Sequence, residues 1–526
     1  MTEASRATRW TPPPGPYNAA VDMVDRNVVE GRGDKVAFID PSIRLTYAEL
    51  AERCNRVANA LPRLGIAREH RVVLIMLDTI DLPVVFWGAI KAGVVPIPLN
   101  TMLTPEQWRF MIEDSRADAV VVSAELLDLV APVLDEIGQR RHLHVIVSGR
   151  EGGSKIIGLG ALMSTSPTTA EAVETHADEV AFWLYSSGST GMPKGTRHLH
   201  ASPMHTAKLF AQGVLGMGPD DVVFSAAKLF FAYGLGNGMS FPMSVGATAV
   251  LMPGRPTPDS VMATMRAHNP TIFCGVPTLL SAMLAHAEIG KGAGSSRLRL
   301  STSAGEALPE DLGNRWQQKV GSEVIDGIGS TEMLHIFVSN RPGKVRYGSS
   351  GTPVPGYDAK LLDDDGAPVP QGEIGELVVR GPSAAEGYWL QREKSRRTFR
   401  GEWTHTGDKY RIGKDGYYYY CGRTDDMFKV SGIWVSPFDV ESALITHKAV
   451  LEAAVVGKED ADGLIKPKAF VVLKPGVTAD DALFEDLRAH VKAQAGAWKY
   501  PRWIDVRTDL PKTATGKIQR FKLREE

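Results

Sequence analysis

Apolar and polar positions follow two rhythms along this chain, one helical and one of short unbroken apolar runs. The helical rhythm is clearest after Thr46: Leu50, Cys54, Val57, Ala58 and Leu61 recur at helical spacing, and Thr46 with Glu49 forms a capping box. Unbroken runs at 72–77, 94–99, 119–123 and 143–148 predict buried strands, with a helix over 82–92. A looser stretch follows at about 149–175, and the alternation then resumes with strands predicted at 181–186, 222–226, 248–251, 271–274, 298–303 and 324–328. Runs apolar on both sides fit parallel strands covered on both faces, so the pattern predicts two α/β lobes within one large N-terminal domain. From about Gly343 the glycines, prolines and short strands such as 375–380 predict a β-rich portion. A last α+β unit follows Arg423, with helices at 438–446 and 479–493 and strands at 453–456 and 468–473. The opening segment, rich in proline and polar residues, reads as a flexible arm.

Composition narrows this picture. With 526 residues the chain is too long for one core. Apolar residues at 43% and charged residues at 23% are those of a soluble globular enzyme. A net charge of −2 leaves no basic footprint for nucleic acid. Cys54, Cys274 and Cys421 lie far apart without metal-ligand spacing, which fits a reducing compartment. Residues 1–20 hold no apolar core of signal-peptide length, and the most apolar stretch, 82–99, is broken by Lys91 and prolines. The expectation is a cytoplasmic α/β enzyme with no membrane and no nucleic-acid partner.

The chemistry concentrates in a few motifs. Residues 185–195 read YSSGSTGMPKG, after an apolar strand and before a helical stretch. Glycines let backbone N–H groups turn toward a ligand; Ser186, Ser187, Ser189 and Thr190 add hydroxyls, and Lys194 adds a positive charge, so the segment can surround a polyphosphate. Its spacing is not that of a Walker loop. Further along stand SAGEA (303–307), DGIGSTEMLHIF (326–337), THTGD (404–408), GRTDD (422–426), MFKVSG (427–432) and PKTATGKIQR (511–520). Taken singly, each could be a turn, a helix cap or a solvated charge.

In this order, the motifs resemble the acyl-adenylate-forming superfamily, which contains acyl-CoA synthetases, beetle luciferases and peptide-synthetase adenylation domains. The resemblance implies ATP and Mg²⁺ in a first step and coenzyme A as co-substrate in a second. It implies that Thr331 touches the α-phosphate, that Glu332 helps hold Mg²⁺, and that Gly305, Glu306 and Asp326 belong to the nucleotide site. Asp408 would take the ribose hydroxyls, with Arg423 beside ribose and phosphate. Asp425 would be the hinge between a large domain (1–424) and a small mobile one (425–526). Gly432 would line the pantetheine tunnel, and Lys517 would be the catalytic lysine bridging carboxylate and α-phosphate. Ile328 stands where the family often has an aromatic residue. A lysine acetyltransferase and deacetylase acting on Lys517 also come within the resemblance.

The acid is read from residues 226–238, AAKLFFAYGLGNG, where no Asp or Glu could meet an α-ammonium group. An amino-acid substrate is therefore not expected. Phe230, Phe231 and Tyr233 offer flat apolar surface for a ring. This wording, with DGIGSTEMLHIF, resembles the benzoate-CoA ligase branch, which implies that Phe231, Ala232, Tyr233, Ile328, His335 and Ile336 line a benzoate pocket. His335 is read either as a contact to the carboxylate or as pocket wall. Other aryl or alkyl acids, including hydroxylated or halogenated benzoates, are the alternative substrates. A luciferase-like oxygenase and a non-catalytic nucleotide binder are the rival functions, and a homodimer is admitted.

Overall fold

A computed structural model describes residues 10–186, 193–430, 433–461, 464–496, 499–512 and 518–524. They pack as two compact units: the described residues of Met1–Asp358 with Val379–Thr404, and those of Ala359–Val378 with His405–Glu526.

The first unit holds two open sheets. One is parallel, with strands in the order Val95–Pro98, Arg71–Ile75, Ala119–Ser123, His144–Ser148 and Ile157–Gly158. The other has nine strands. Its parallel centre runs Val36–Ile39, Thr248–Val250, Val222–Ser225, Ile272–Gly275, Leu300–Ser303 and Glu323–Gly329. Antiparallel Arg44–Thr46 closes one edge, and Ile336–Ser339 then Thr352–Pro353 extend the other. The central strands are buried along nearly their whole length, which is why they read as unbroken apolar runs. Phe273 on the sheet stacks on Trp316 of the helix Glu310–Val320, ring centroids 6.1 Å apart. The helix Tyr47–Arg63 carries the expected capping box: the Glu49 N–H donates to Thr46 Oγ1 and the Thr46 N–H to Glu49 Oε2.

A third, antiparallel sheet joins Val180–Ser186, Lys194–Leu199 and Gly387–Tyr388. It corrects the expectation of a helical stretch directly after the glycine-serine motif. Residues 194–199 form a strand paired with the one before, Ser186 opposite Lys194 and Tyr185 opposite Gly195, and helix begins only at Ser202. The inward positions of this strand include Thr196 and His198 instead of aliphatics, so the period-2 signal is masked.

The reading of the opening as a flexible arm also needs correction. From Tyr17 the chain is packed: the Tyr17 N–H donates to Thr175 O at 2.7 Å and Asn18 Nδ2 to Ile90 O at 3.0 Å. Helical turns follow over Val21–Asp25 and Val28–Arg32, before the helix at Tyr47. Ala19, Ala20, Met23, Val24 and Asn27 form their buried face.

In the second unit, Trp403–Ile412 and Tyr418–Arg423 form an antiparallel hairpin. Beyond it the helices Pro437–Ile445 and Asp481–Ala495 cover a sheet of Val450–Glu459, Ile465–Leu473 and Trp503–Arg507. Val435, Leu444, Val455, Val471, Leu487 and Val491 are the heart of this core. Asp425 lies inside this unit as it packs.

Candidate active site

Two clusters of predicted residues form in the first unit, on either side of the hairpin Glu323–Gly329/Ile336–Ser339. Gly329 pairs with Ile336 across it, and the intervening residues carry Ser330, Thr331 and Glu332. The strands approach too closely for side chains at Gly327 and Gly329: a Cβ at Gly327 would meet Val338 O at 2.7 Å, and one at Gly329 would meet His335 O at 2.6 Å.

On the acid side, the short helix Ala232–Leu235 presents Ala232 and Tyr233, and Phe231 precedes it. The Tyr233 hydroxyl hydrogen-bonds Thr302 Oγ1 at 2.6 Å, and burial pushes the phenol well above its ordinary pKa. His335 stacks against Tyr233, with Phe241 edge-on at 4.4 Å and Phe210 at 5.2 Å. Its Nε2 lies 3.3 Å from Tyr233 O and 3.4 Å from Asn237 Nδ2. Burial depresses the imidazole to about 3, so His335 is neutral at any working pH, and Nδ1 has no partner among the described residues. A neutral imidazole carries no charge to pair with a carboxylate, so His335 adds an uncharged ring to this cluster. Ile336 is buried and Ile328 half-buried.

The turn leading into this pocket is tied down by charge. Lys228 Nζ donates to the carbonyls of Met252, Pro253 and Gly254, and Asp78 lies 3.9 Å away. Asp78 also accepts the Leu229 N–H at 3.3 Å, and burial pushes its carboxyl up to about 6.

On the phosphate side, Lys194 Nζ stands 3.9 Å from Glu332 Oε1. Tyr388 donates its hydroxyl to the same oxygen at 2.7 Å, and Lys194 lies 4.4 Å from the Tyr388 ring centroid. Tyr388 was not legible as a site residue; its only trace is an aromatic beside a glycine in a β-rich stretch. The hairpin that carries Lys194 is pinned by Trp389, whose indole packs on Trp183 at 4.9 Å and donates to Asp114 O at 2.9 Å. Asp114 in turn accepts the Tyr185 hydroxyl at 2.6 Å.

Ser186 closes its strand with Oγ unpartnered. Asp326 is buried at the centre of the sheet, its Oδ1 unpartnered and its carboxyl pushed well up by burial. Gly305 takes a left-handed turn (φ +93°) after the strand Leu300–Ser303, and Glu306 beside it accepts from Thr278 Oγ1 at 3.0 Å.

In the second unit the hairpin sets Asp408 opposite Arg423. Arg423 Nη1 donates to Asp408 Oδ1 at 3.0 Å and to Thr406 O at 2.9 Å. Ser187, Ser189, Thr190, Gly432 and Lys517 lie outside the described residues. The chain flanking 513–517 is well held: Lys512 pairs with Ile518, the Gln519 N–H donates to Pro511 O, and Arg520 forms a bidentate pair with buried Glu441.

The AMP-binding enzyme model matches residues 25–389, and the AMP-binding enzyme C-terminal domain matches 439–517. The chain belongs to the AMP-binding enzyme family. Within it, the chain is 57% identical over 520 residues to the benzoate–CoA ligase of Thauera aromatica, covering 98% of both chains. It is 53% identical over 511 residues to the 4-hydroxybenzoate–CoA/benzoate–CoA ligase of Rhodopseudomonas palustris, covering 97% of this chain and 94% of the relative. The crystal structure of a benzoate CoA ligase from Burkholderia xenovorans LB400 superimposes with a TM-score of 0.89 at 50% identity, covering 97% of this chain and all of the other. The fold class expected from the sequence, a large α/β domain with a small α+β one, agrees with these structures.

Family membership implies Mg²⁺. Among the described residues no group of three or more His, Cys, Asp or Glu could cage a metal. Glu332 is half-buried and Oε2 takes no hydrogen bond among the described residues, which fits an ion held by a single carboxylate, phosphate oxygens and water. No helix among them is long and apolar enough to cross a membrane.

Proposed function

We propose that this chain is an ATP-dependent benzoate-CoA ligase. A benzoate oxygen attacks the α-phosphorus of ATP, the bond to the β-phosphate bridge breaks, and diphosphate leaves with benzoyl-adenylate formed. The thiol of coenzyme A then attacks the acyl carbon, loses its proton, and AMP departs with the C–O bond. The observation that carries this reading is the cluster around Tyr233: aromatic and aliphatic walls, a neutral His335, and no Asp or Glu in residues 226–238. The names of the 57% and 53% identical relatives support the same acid class.

A carboxylate attacking a phosphate brings two anions together, so cations decide the first step. Lys194 and the 185–195 backbone would take the outer phosphates, Thr331 the α-phosphate, and Glu332 would hold Mg²⁺. The metal supplies charge neutralisation on the phosphate oxygens. Gly305, Glu306 and Asp326 complete the nucleotide side. Asp408 is suited to accept from both ribose hydroxyls, with Arg423 as the fixed cation beside it. Lys517 would meet the carboxylate and α-phosphate, and must then leave so that the thiol can enter past Gly432. A hinge at Asp425 between domains 1–424 and 425–526 would allow one pocket to serve both steps.

Acetylation of Lys517, reversed by a deacetylase, would remove that charge and silence the first step. The reading extends to a cytoplasmic enzyme and to a homodimer, the latter checked by sedimentation. The deciding experiment is an acid panel (benzoate, hydroxybenzoates, fluorobenzoates, cinnamate, a fatty acid) with acid-dependent diphosphate release and CoA-dependent thioester as readouts. Benzoate should give both. A preference for 4-hydroxybenzoate would move the assignment to a hydroxybenzoate ligase, and diphosphate release without thioester would exclude a ligase.

A further inference from the structure

We infer that Tyr388 is a positioning residue that orders Glu332 and Lys194 for a metal–polyphosphate, an inference that rests on the proposed adenylation. Tyr388 is nearly buried on the strand Gly387–Tyr388, paired with Thr196 two residues beyond Lys194. Its hydroxyl has one proton, and among the described residues it contacts Glu332 Oε1 at 2.7 Å, Lys194 Nζ at 3.3 Å and Thr398 Oγ1 at 3.4 Å. The proton goes to the carboxylate, the shortest and charge-assisted contact, which leaves the oxygen to accept from Lys194. The result is a directed chain, Lys194 to Tyr388 to Glu332.

This chain solves a specific problem. A lysine and a glutamate in a half-buried site tend to collapse into a tight pair, and each would then be lost to a ligand. Here Nζ and Oε1 form a loose pair at 3.9 Å, each in contact with the Tyr388 hydroxyl, and the ring face attracts the ammonium at 4.4 Å. Using Oε1 to accept from Tyr388 fixes the carboxylate plane and leaves Oε2 clear of hydrogen bonds among the described residues. One aromatic side chain therefore aims a carboxylate oxygen at a cation and an ammonium at a phosphate. The Tyr388 amide is held separately, donating to Ser395 Oγ at 3.0 Å, so the backbone does not depend on the hydroxyl.

The test uses the full chain with α,β-methylene-ATP and Mn²⁺ as the spectroscopic stand-in for Mg²⁺. Metal affinity of the enzyme–nucleotide complex is read by electron paramagnetic resonance, and metal-free nucleotide affinity by calorimetry. Y388F keeps the ring and removes the hydroxyl: Mn²⁺ affinity should fall by about tenfold, the usual scale for losing a partner that orients a metal ligand. Metal-free nucleotide affinity, which depends on Lys194 and keeps the ring contact in Y388F, should fall clearly less than Mn²⁺ affinity, and thioester formation from supplied benzoyl-adenylate should fall less still. Y388L removes the ring as well and should weaken the metal-free nucleotide too, through Lys194. Unchanged Mn²⁺ affinity in Y388F would overturn the inference, as would an equal loss in metal-free nucleotide binding and in the second half-reaction, which marks a general structural role. Failure of the adenylation reading shows elsewhere, as wild-type protein that binds Mn²⁺ and nucleotide yet releases no diphosphate with any acid.

Discussion

Around Tyr233, the polar side chains facing the rings are neutral: His335 contacts a backbone carbonyl, Tyr233 hydrogen-bonds the Thr302 hydroxyl, and aromatic rings close the rest. At Glu332, three residues before His335 in the same hairpin, the arrangement reverses. Lys194 and Glu332 keep opposite charges in a half-buried setting as a loose pair, both in contact with the Tyr388 hydroxyl. The contrast teaches what each region must do. A ring is chosen by volume, which needs a rigid wall; a phosphate is held and activated by charge, which needs charged groups kept close to one another.

Removing charge should therefore cost most. Lys517→Ala should slow adenylate formation by about 10²–10³-fold, the scale of losing one charge-stabilising group in a transition state. Thioester formation from supplied benzoyl-adenylate should be nearly unchanged. Single-turnover measurement of the two half-reactions checks this, and equal loss in both would end the division of labour proposed for that lysine.

Asp78 gives a second break in the comparison, because it is a charge placed on the apolar side. Its folded-state pKa of about 6 lies above the ordinary carboxylate value, so its contribution to stability is full below about pH 4 and lost as the pH rises through 6. The swing is about 3 kcal/mol. Asp78→Asn keeps an acceptor for the Leu229 amide and should flatten the pH dependence of unfolding between pH 4 and 7. An unaltered profile in denaturant titrations would show that another group carries this window.

Volume changes should have the smallest and most selective effects. Ala232→Val should cut kcat/KM for benzoate about 10–100-fold and leave KM for ATP alone. Gly236→Ala should act similarly, since a Cβ there would meet His335 Cδ2 at 2.5 Å and Phe241 Cζ at 2.9 Å. Acid-panel kinetics separate the two sides, and a matching rise in KM for ATP would mean that pocket and phosphate corner are not independent.

How much of this could be read beforehand depended on where the signal lies. Buried parallel strands were legible to within a residue or two, as at Ala119–Ser123 and Leu300–Ser303, because burial on both faces writes itself as an apolar run. The strand Lys194–Leu199 was not, because Thr196 and His198 occupy its inward positions. The helical turns before Arg32 were hidden behind a proline-rich lead, although Ala19, Ala20, Met23 and Val24 keep helical spacing.

Sequence by itself determined the buried parallel strands, the reactive motifs and the lack of Asp or Glu in residues 226–238, since all three rest on local patterns of residue type. Only the tertiary structure decided that Tyr388 contacts both Lys194 and Glu332, that burial leaves His335 neutral, and that Asp78 accepts the Leu229 N–H. Those outcomes depend on distances between residues remote in the chain and on how much water folding removes from them, and neither quantity is written in any local stretch.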